Sequence, residues 1–290
     1  MKVPSSGRRQ ARRMRFELFT AVLAVCAFRP PVASAQGVSG VPTPPATVAS
    51  PATDASAYRA ALVQRIESAA ATGGPTGVQT IVHIAAAGPP PDVLATALDA
   101  LGALARPEGA PTIARALRHR RSVIRRHAIA AARAVHTAGL VDDLADLLGD
   151  PDAAVRTDAA QALAEVGTQA IGARAIEAFQ RDLEDATGPD GGPLTAPCAI
   201  AVGRFGSGAD VQRLVAFVGR APFAPMIEAL RPAVRRTNLP EPVRIAVVQA
   251  VGRARSRDAR AFLTALINES NGQDTPLIRA AREQITRIPE

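Results

Sequence analysis

One short segment recurs along this chain, and its recurrence restricts the possible folds more than any other feature. The clearest copy runs from Asp150 to Gly167 and reads DPDAAVRTDAAQALAEVG. Its apolar positions at 155–166 reappear at 124–135, and again at the same interval at 93–104. Further copies begin at 194, 243 and 277. Such self-similarity is typical of a fold in which structural units stack side by side.

The repeated apolar positions have the spacing of one helix face. In the clearest copy they fall at i, i+4, i+7, i+8 and i+11, from Val155 to Val166, which indicates an amphipathic α-helix. A second amphipathic run precedes each copy, and Asp150-Pro151-Asp152 supplies the turn and N-cap between the two runs. The sequence predicts an all-α fold, an α-solenoid of about six stacked helix–turn–helix repeats, with a capping helix at 58–66.

The pattern at 150–167 resembles the HEAT-repeat family, in particular the short HEAT-like repeats first described in phycobilin lyases. The resemblance covers residues 76–288 and implies an α-solenoid that binds other macromolecules, usually proteins. In this family the aspartate before the turn and the arginine of the second helix form a ladder between repeats. The resemblance therefore implies ladder roles for Asp150, Arg156, Arg125 and Arg244. His119 and Asn238 replace the aspartate in two copies, which implies interruptions of the ladder there.

Residues 1–35 have the organisation of a secretory signal peptide. Seven basic residues and one acidic residue accompany the apolar run Leu18–Phe28, and Ala33-Ser34-Ala35 forms an A-x-A cleavage site. The run is too short to span a bilayer of about 30 Å as a helix. We expect cleavage after Ala35 and an exported bacterial protein, periplasmic or secreted. The alternative is a lipoprotein anchored at Cys26, because Leu23-Ala24-Val25-Cys26 resembles a lipobox.

Composition divides the rest of the chain into a linker and a solenoid. Residues 36–56 are rich in Pro, Ala, Thr and Ser, which predicts a disordered linker, and the solenoid is predicted at 57–290. The wider repeat spacings add insertions near 186–193 and 221–240, the second with room for an extra helix at 225–236. These insertions either carry specific contacts or are neutral additions to the surface.

The net charge of +8 does not identify a partner, because most of it lies in residues 1–35. No apolar run reaches about 18 residues, so the sequence predicts no membrane-spanning helix. We expect no nucleic-acid partner, since the basic residues are not interleaved with the aromatic side chains on which bases stack. Once Cys26 is removed, Cys198 remains, and its place among the repeated apolar positions predicts a buried thiol.

A basic cluster is the strongest local feature, because residues 109–136 contain seven arginines and no acidic residue. Helical phase predicts Arg126 on the exposed side of a second helix, and Arg133 replaces a glycine or alanine of the other clear copies. Two interpretations remain open: an anion-binding patch, or neutralisation by the acidic residues of the next repeat. In the first case the partner-binding residues are Arg118, Arg120, Arg121, Arg126, His127 and Arg133.

Enzyme motifs are missing from the sequence. It has no G-x-S-x-G, P-loop, G-x-G-x-x-G or H-E-x-x-H segment, and its histidines and cysteines do not have metal-binding spacing. We therefore predict no catalytic residues, metal or cofactor. The predicted function is a non-catalytic exported scaffold that binds a protein, acidic if the basic cluster holds it, on the exposed ridge of the second helices. The alternatives are a lyase-type enzyme or subunit acting on a cofactor or chromophore, and a lipid-tethered structural component of the cell envelope.

Overall fold

The computed structural model describes residues 51–186, 188, 191–218 and 224–288. The predicted signal peptide, Cys26 and most of the predicted linker lie outside these residues. In the described part all regular elements are helices, which confirms the predicted all-α fold. None of these helices is both long enough and apolar enough to cross a bilayer.

The α-helices follow one another with short connections, several of which are single 3₁₀ turns. In chain order they are α1 (Pro51–Thr72), α2 (Gly74–Ala86), α3 (Pro91–Leu104), α4 (Ala110–Leu117), α5 (Ser122–Val135), α6 (Val141–Asp146), α7 (Ala153–Val166), α8 (Gly172–Asp185), α9 (Thr195–Phe205), α10 (Gly208–Val218), α11 (Ala224–Arg235), α12 (Glu241–Arg253), α13 (Arg257–Glu269) and α14 (Pro276–Ile285).

The helices stack as the recurrence predicts over the first part of the solenoid. The second helices α3, α5, α7 and α9 pack against one another in succession, and each also packs against the helix that precedes it. The helix α1 packs on α2 and α3 at the start of the array. It begins at Pro51, so residues 51–56, predicted as linker, are helical. Proline at the first position and Asp54 in the first turn favour that start.

Small apolar side chains make up the core along the whole array. In α5 the buried positions include Ile124, Ala128 and Ala131, and their counterparts in α7 are Val155, Ala159 and Ala162, all at most 2% exposed. Alanine at these positions lets neighbouring helices approach closely, so the apolar faces that one repeat cannot cover are buried by the next.

The segment that the sequence marks as room for an extra helix forms α11, and this helix packs extensively on α9. Gly203 in α9 makes the contact possible, because a Cβ there would overlap the carbonyl oxygen of Ala229 in α11. The following helix α12, whose apolar pattern aligns with that of α9, packs mainly on α10 and α14. Comparison of the repeats predicts that the helix at 243–254 packs on α9, but the extra helix α11 packs there instead.

Cys198 lies on the core-facing side of α9 with 1% of its surface exposed. Burial raises the pKa of its thiol to about 12, with a smaller contribution from the nearby charge of Asp182. At neutral pH the thiol is therefore protonated and shielded, which suits a packing role rather than a nucleophilic one.

Candidate functional site

The basic cluster is divided between two surfaces of the solenoid. One surface is a shallow groove on the exposed side of the second helices, which we call the ridge groove; it is lined by Val123, Arg126, His127, Ala130 and Asp158. The other lies at the turns that join first and second helices, and we call it the turn-edge groove. Its lining residues are Leu117, Arg118, His119, Arg120, Arg125, Asp143, Asp146, Leu147, Asp150 and Pro151.

The ridge groove has a volume of about 310 Å³ and combines an apolar side chain with an ion pair. Val123 is 61% exposed. Beside it, Nε of Arg126 donates to Oδ2 of Asp158 at 2.6 Å, joining α5 to α7. This hydrogen bond, with the charge of Asp158, raises the pKa of Arg126 above its ordinary value, so the side chain is a permanent cation.

Two further contacts hold α5 to its neighbours on the same side of the array. Nδ1 of His127 lies 2.7 Å from Oδ1 of Asp99 in α3. Arg133 makes a bidentate pair with Glu165 of α7, with distances of 3.1 Å from Nε and 2.5 Å from Nη2. The basic helix α5 is therefore linked to an acidic residue on each side.

The turn-edge groove is slightly larger, about 330 Å³. Arg118 pairs with Asp143 at 2.5 Å, and Arg125 pairs with Asp150 at 2.7 Å. The second pair is buried, since each residue is 8% exposed. Arg120 and Arg121 are exposed, and neither forms an ion pair within the described part of the chain.

Three of the four predicted ladder residues, Asp150, Arg156 and Arg125, come together, although their pairing differs from the expected one. The carboxylate of Asp150 pairs with Arg125 of the preceding repeat. Arg156 donates instead to the main-chain carbonyl of Asp150, at 2.8 Å, and Arg125 makes the same bond to the carbonyl of His119. A histidine can therefore replace the aspartate without loss of the main-chain bond. Arg244 has no ion pair among the described residues, and its buried Nε has no acceptor.

The neutralisation interpretation holds for part of the basic cluster, and the anion-binding interpretation stays a prediction. Four of its arginines are paired with carboxylates at or after Asp143, as the neutralisation interpretation expects: Arg118, Arg125, Arg126 and Arg133. Arg115, Arg120 and Arg121 have no such partner in the part of the chain that the structure describes. Two constant separations, 25 residues for the turn-edge pairs and 32 for the ridge pairs, could have revealed these pairs from the sequence.

Sequence reasoning missed three members of the ridge: Val123, Asp99 and Glu165. Val123 was missed because a single valine outside the apolar stripe gives no signal without the neighbouring helix. Asp99 and Glu165 belong to adjacent repeats, so their role depends on how the helices are stacked. Among the described residues no group of three or more His, Cys, Asp or Glu side chains is arranged to hold a metal ion.

Comparison with known proteins agrees with the repeat assignment. Residues 78–164 match the model of the family described as HEAT repeats. No curated protein matches the chain.

Three solved structures are similar at low sequence identity and at TM-scores below 0.5, values at which a likeness carries no functional information. Human deoxyhypusine hydroxylase in complex with glycerol has 13% identity and a TM-score of 0.34, covering 82% of this chain and 96% of its own. An engineered protein has 16% identity and a TM-score of 0.43, and the match covers 81% of this chain and 75% of that protein. A designed armadillo repeat protein has 16% identity and a TM-score of 0.37, and the match covers 79% of this chain and 99% of that protein. The HEAT-repeat assignment therefore rests on the family model, which matches residues 78–164, and on the stacked helices.

Proposed function

We propose that this protein is an exported, non-catalytic scaffold that binds a protein partner on the ridge of its second helices, at the ridge groove. HEAT repeats commonly serve protein interactions, because stacked helices present an extended continuous surface. The observation that carries the proposal is the exposed Val123 beside the Arg126–Asp158 pair.

The chemistry of the ridge groove suits a protein surface. Interfaces concentrate their binding energy in a small apolar centre surrounded by polar groups that exclude water. Val123 and Ala130 supply the apolar centre, and Arg126, His127 and Asp158 supply the polar surround. The counterparts of Val123 one repeat away are Asp92 and Ala154, so α5 exposes a larger apolar side chain at this position than its neighbours do.

Site-specific photo-cross-linking tests where a partner binds. A photoreactive residue replaces Gln161, an exposed position on α7 one repeat from Ala130, and a control carries it at Gln212 on α10. After irradiation in an extract of the source cell envelope, we expect a cross-linked protein at 161 and none at 212. Equal cross-linking at both positions, or cross-linking at 212 alone, would contradict the assignment to the ridge.

A blocking variant tests the same surface by a second route. Ala130→Trp fills the ridge groove, and Ala209→Trp places the same side chain on the exposed surface of α10. We expect Ala130→Trp to abolish the cross-link at 161 and Ala209→Trp to leave it intact. Retention of the cross-link in both variants would move the partner away from the groove.

Export is part of the proposal and rests on residues 1–35 alone. The basic segment, the apolar run and the A-x-A site support cleavage after Ala35. Sequencing of the mature N-terminus should give Gln36. Metabolic lipid labelling that disappears in Cys26→Ser would instead show a lipid-tethered protein.

A further inference from the structure

Three arginines and three aspartates line the turn-edge groove, but one of these aspartates, Asp146, pairs with an arginine outside the lining. Each carboxylate that lines it is already committed to an arginine: Asp143 to Arg118, Asp146 to Arg174 and Asp150 to Arg125. Arg120 also lines the groove, and Arg121 follows it in the chain. Both are exposed and without an ion pair among the described residues, so Arg120 in the groove and Arg121 next to it in the chain are available to an anion at the turns.

The start of α5 has no side-chain cap of its own. In the next repeat Asp152 caps α7, accepting from the main-chain N–H groups of Ala154 and Val155. The equivalent position in α5 is Arg121, which provides no side-chain cap. A cation at the positive end of a helix is unfavourable. The carboxylate that faces this end is Asp152, which hydrogen-bonds Ser122 and is thereby shared between two helices.

A buried donor belonging to the same groove is also unsatisfied. Arg125 is 8% exposed and lines the groove. Its Nη1 and Nη2 atoms have acceptors, but its Nε has none. Buried donors without acceptors are uncommon in folded proteins. Because this Nε is itself inaccessible, the contacts open to an anion at the groove are the exposed guanidinium groups of Arg120 and Arg121.

We propose that the turn-edge groove binds an acidic segment of a partner protein, whose carboxylates pair with Arg120 and Arg121. The planar guanidinium group binds carboxylates through two parallel hydrogen bonds. Leu117, Leu147 and Pro151 line the groove as well, so the aliphatic stems of glutamate side chains have apolar contacts. A phosphate group would bring more negative charge close to Asp143, Asp146 and Asp150, which favours the singly charged carboxylate.

This site adds to the scaffold function proposed above but uses a different surface, so the two can fail separately. The ridge groove lies on the exposed side of α5 and α7, whereas the turn-edge groove lies at the turns before them. Ala130→Trp, which blocks the ridge, should leave binding at the turn-edge groove unchanged.

The test uses a defined probe and the full chain. Fluorescence anisotropy measures binding of a fluorescein-labelled decaglutamate peptide and of its decaglutamine counterpart. Two variants with the same change in charge are compared: Arg120→Glu/Arg121→Glu, and Arg59→Glu/Arg65→Glu on α1, where both arginines are exposed and have no ion pair among the described residues. The basic residues at 1–35 are present in every variant, so a difference in affinity between the variants measures the contribution of the groove.

We expect decaglutamate to bind and decaglutamine not to bind. Arg120→Glu/Arg121→Glu should weaken decaglutamate binding by at least about tenfold, because two charge-assisted contacts become repulsive. The α1 variant should change it by less than about twofold. If circular dichroism shows that the charge-reversed variant has lost helicity, Arg120→Gln/Arg121→Gln replaces it in the test, because it removes the charges without reversing them.

Three results would overturn the proposal. Equal weakening in both charge variants would show that only net charge matters. Equal binding of decaglutamine would show that carboxylates are not recognised. Tighter binding to phosphatidylglycerol vesicles than to decaglutamate, lost in the Arg120 and Arg121 variant, would assign the arginines to a lipid surface instead.

Discussion

The helices α5 and α7 have matching buried faces and exposed faces of opposite charge. Each has 14 residues, and each is the second helix of its repeat. Their buried faces match position by position, from Ile124 and Val155 at one end to Val135 and Val166 at the other. On the exposed side α5 carries Arg126 and Arg133, whereas α7 carries Asp158 and Glu165.

This contrast separates what folds the array from what distinguishes one repeat from the next. The repeated small apolar residues let neighbouring helices approach closely, so each repeat covers the apolar face of the next. The charged residues are complementary between these two repeats and pair across the exposed side of α5 and α7. Arg120 and Arg121 fall outside both roles, because they are neither buried nor paired among the described residues.

Removal of Asp150 should have the largest effect, because it leaves the buried guanidinium of Arg125 without its counter-charge. We expect Asp150→Ala to lower the free energy of unfolding by about 3–5 kcal/mol, measured by urea denaturation. The double variant Asp150→Ala/Arg125→Leu should recover part of this loss, since no uncompensated charge remains buried. A loss smaller than about 1 kcal/mol in the single variant would show that the pair behaves as an exposed one.

A side chain at Gly203 should have the next largest effect. Gly203 occupies in α9 the position that Arg133 occupies in α5, and its missing side chain admits the backbone of α11. Gly203→Val should destabilise the protein by about 1–3 kcal/mol through overpacking, again by urea denaturation. The matched control Gly149→Val has open space around the new Cβ and should cost less. Equal costs would mean that α11 does not pack closely on α9.

The ridge ion pairs should contribute little to stability. Arg133 and Glu165 have side chains that are 41% and 43% exposed, so Arg133→Ala should cost about 0–1 kcal/mol, and less at high salt. Thermal unfolding in low and high salt measures this difference. A cost that persists in high salt would show that Arg133 acts through packing of its stem rather than through charge.

The helix cap of α7 should give the smallest and most specific effect, a dependence on acid. The hydrogen bond from Ser122, together with that from the main chain of Ala154, holds the pKa of Asp152 below its ordinary value. The ionised cap therefore contributes stability above that ordinary value, and the contribution is lost as pH falls through the lower pKa of the folded state.

Asp152→Asn removes the titrating group and keeps a capping side chain. Below about pH 4, the stability of this variant should fall less steeply than that of the unmodified chain. Circular dichroism measures unfolding of both proteins as the pH is lowered. Identical acid dependence in the two proteins would show that Asp152 does not couple the cap to pH.

The sequence was sufficient for the repeats and insufficient for their surface chemistry. The second helices were predictable because their apolar positions recur, as at Val155 and Ala159. The position of α11 in the stack was not predictable, because an apolar run of that length fits either an insertion or a stacked helix. The close contact of Gly203 with Ala229 shows that it is a stacked helix. The partners of Arg126 and Arg133 each lie 32 residues further along the chain, so only a comparison of adjacent repeats, and not one repeat by itself, can identify them.

Hydrogen–deuterium exchange tests the central claim, that the surface of α5 and α7 binds a protein, most directly. The probe is the protein cross-linked at position 161, purified and added to the full chain. Slower exchange is expected in peptides that cover 122–135 and 153–166, with no change in 241–253. Protection confined to 241–253 or to other helices, with 122–135 unchanged, would contradict the claim.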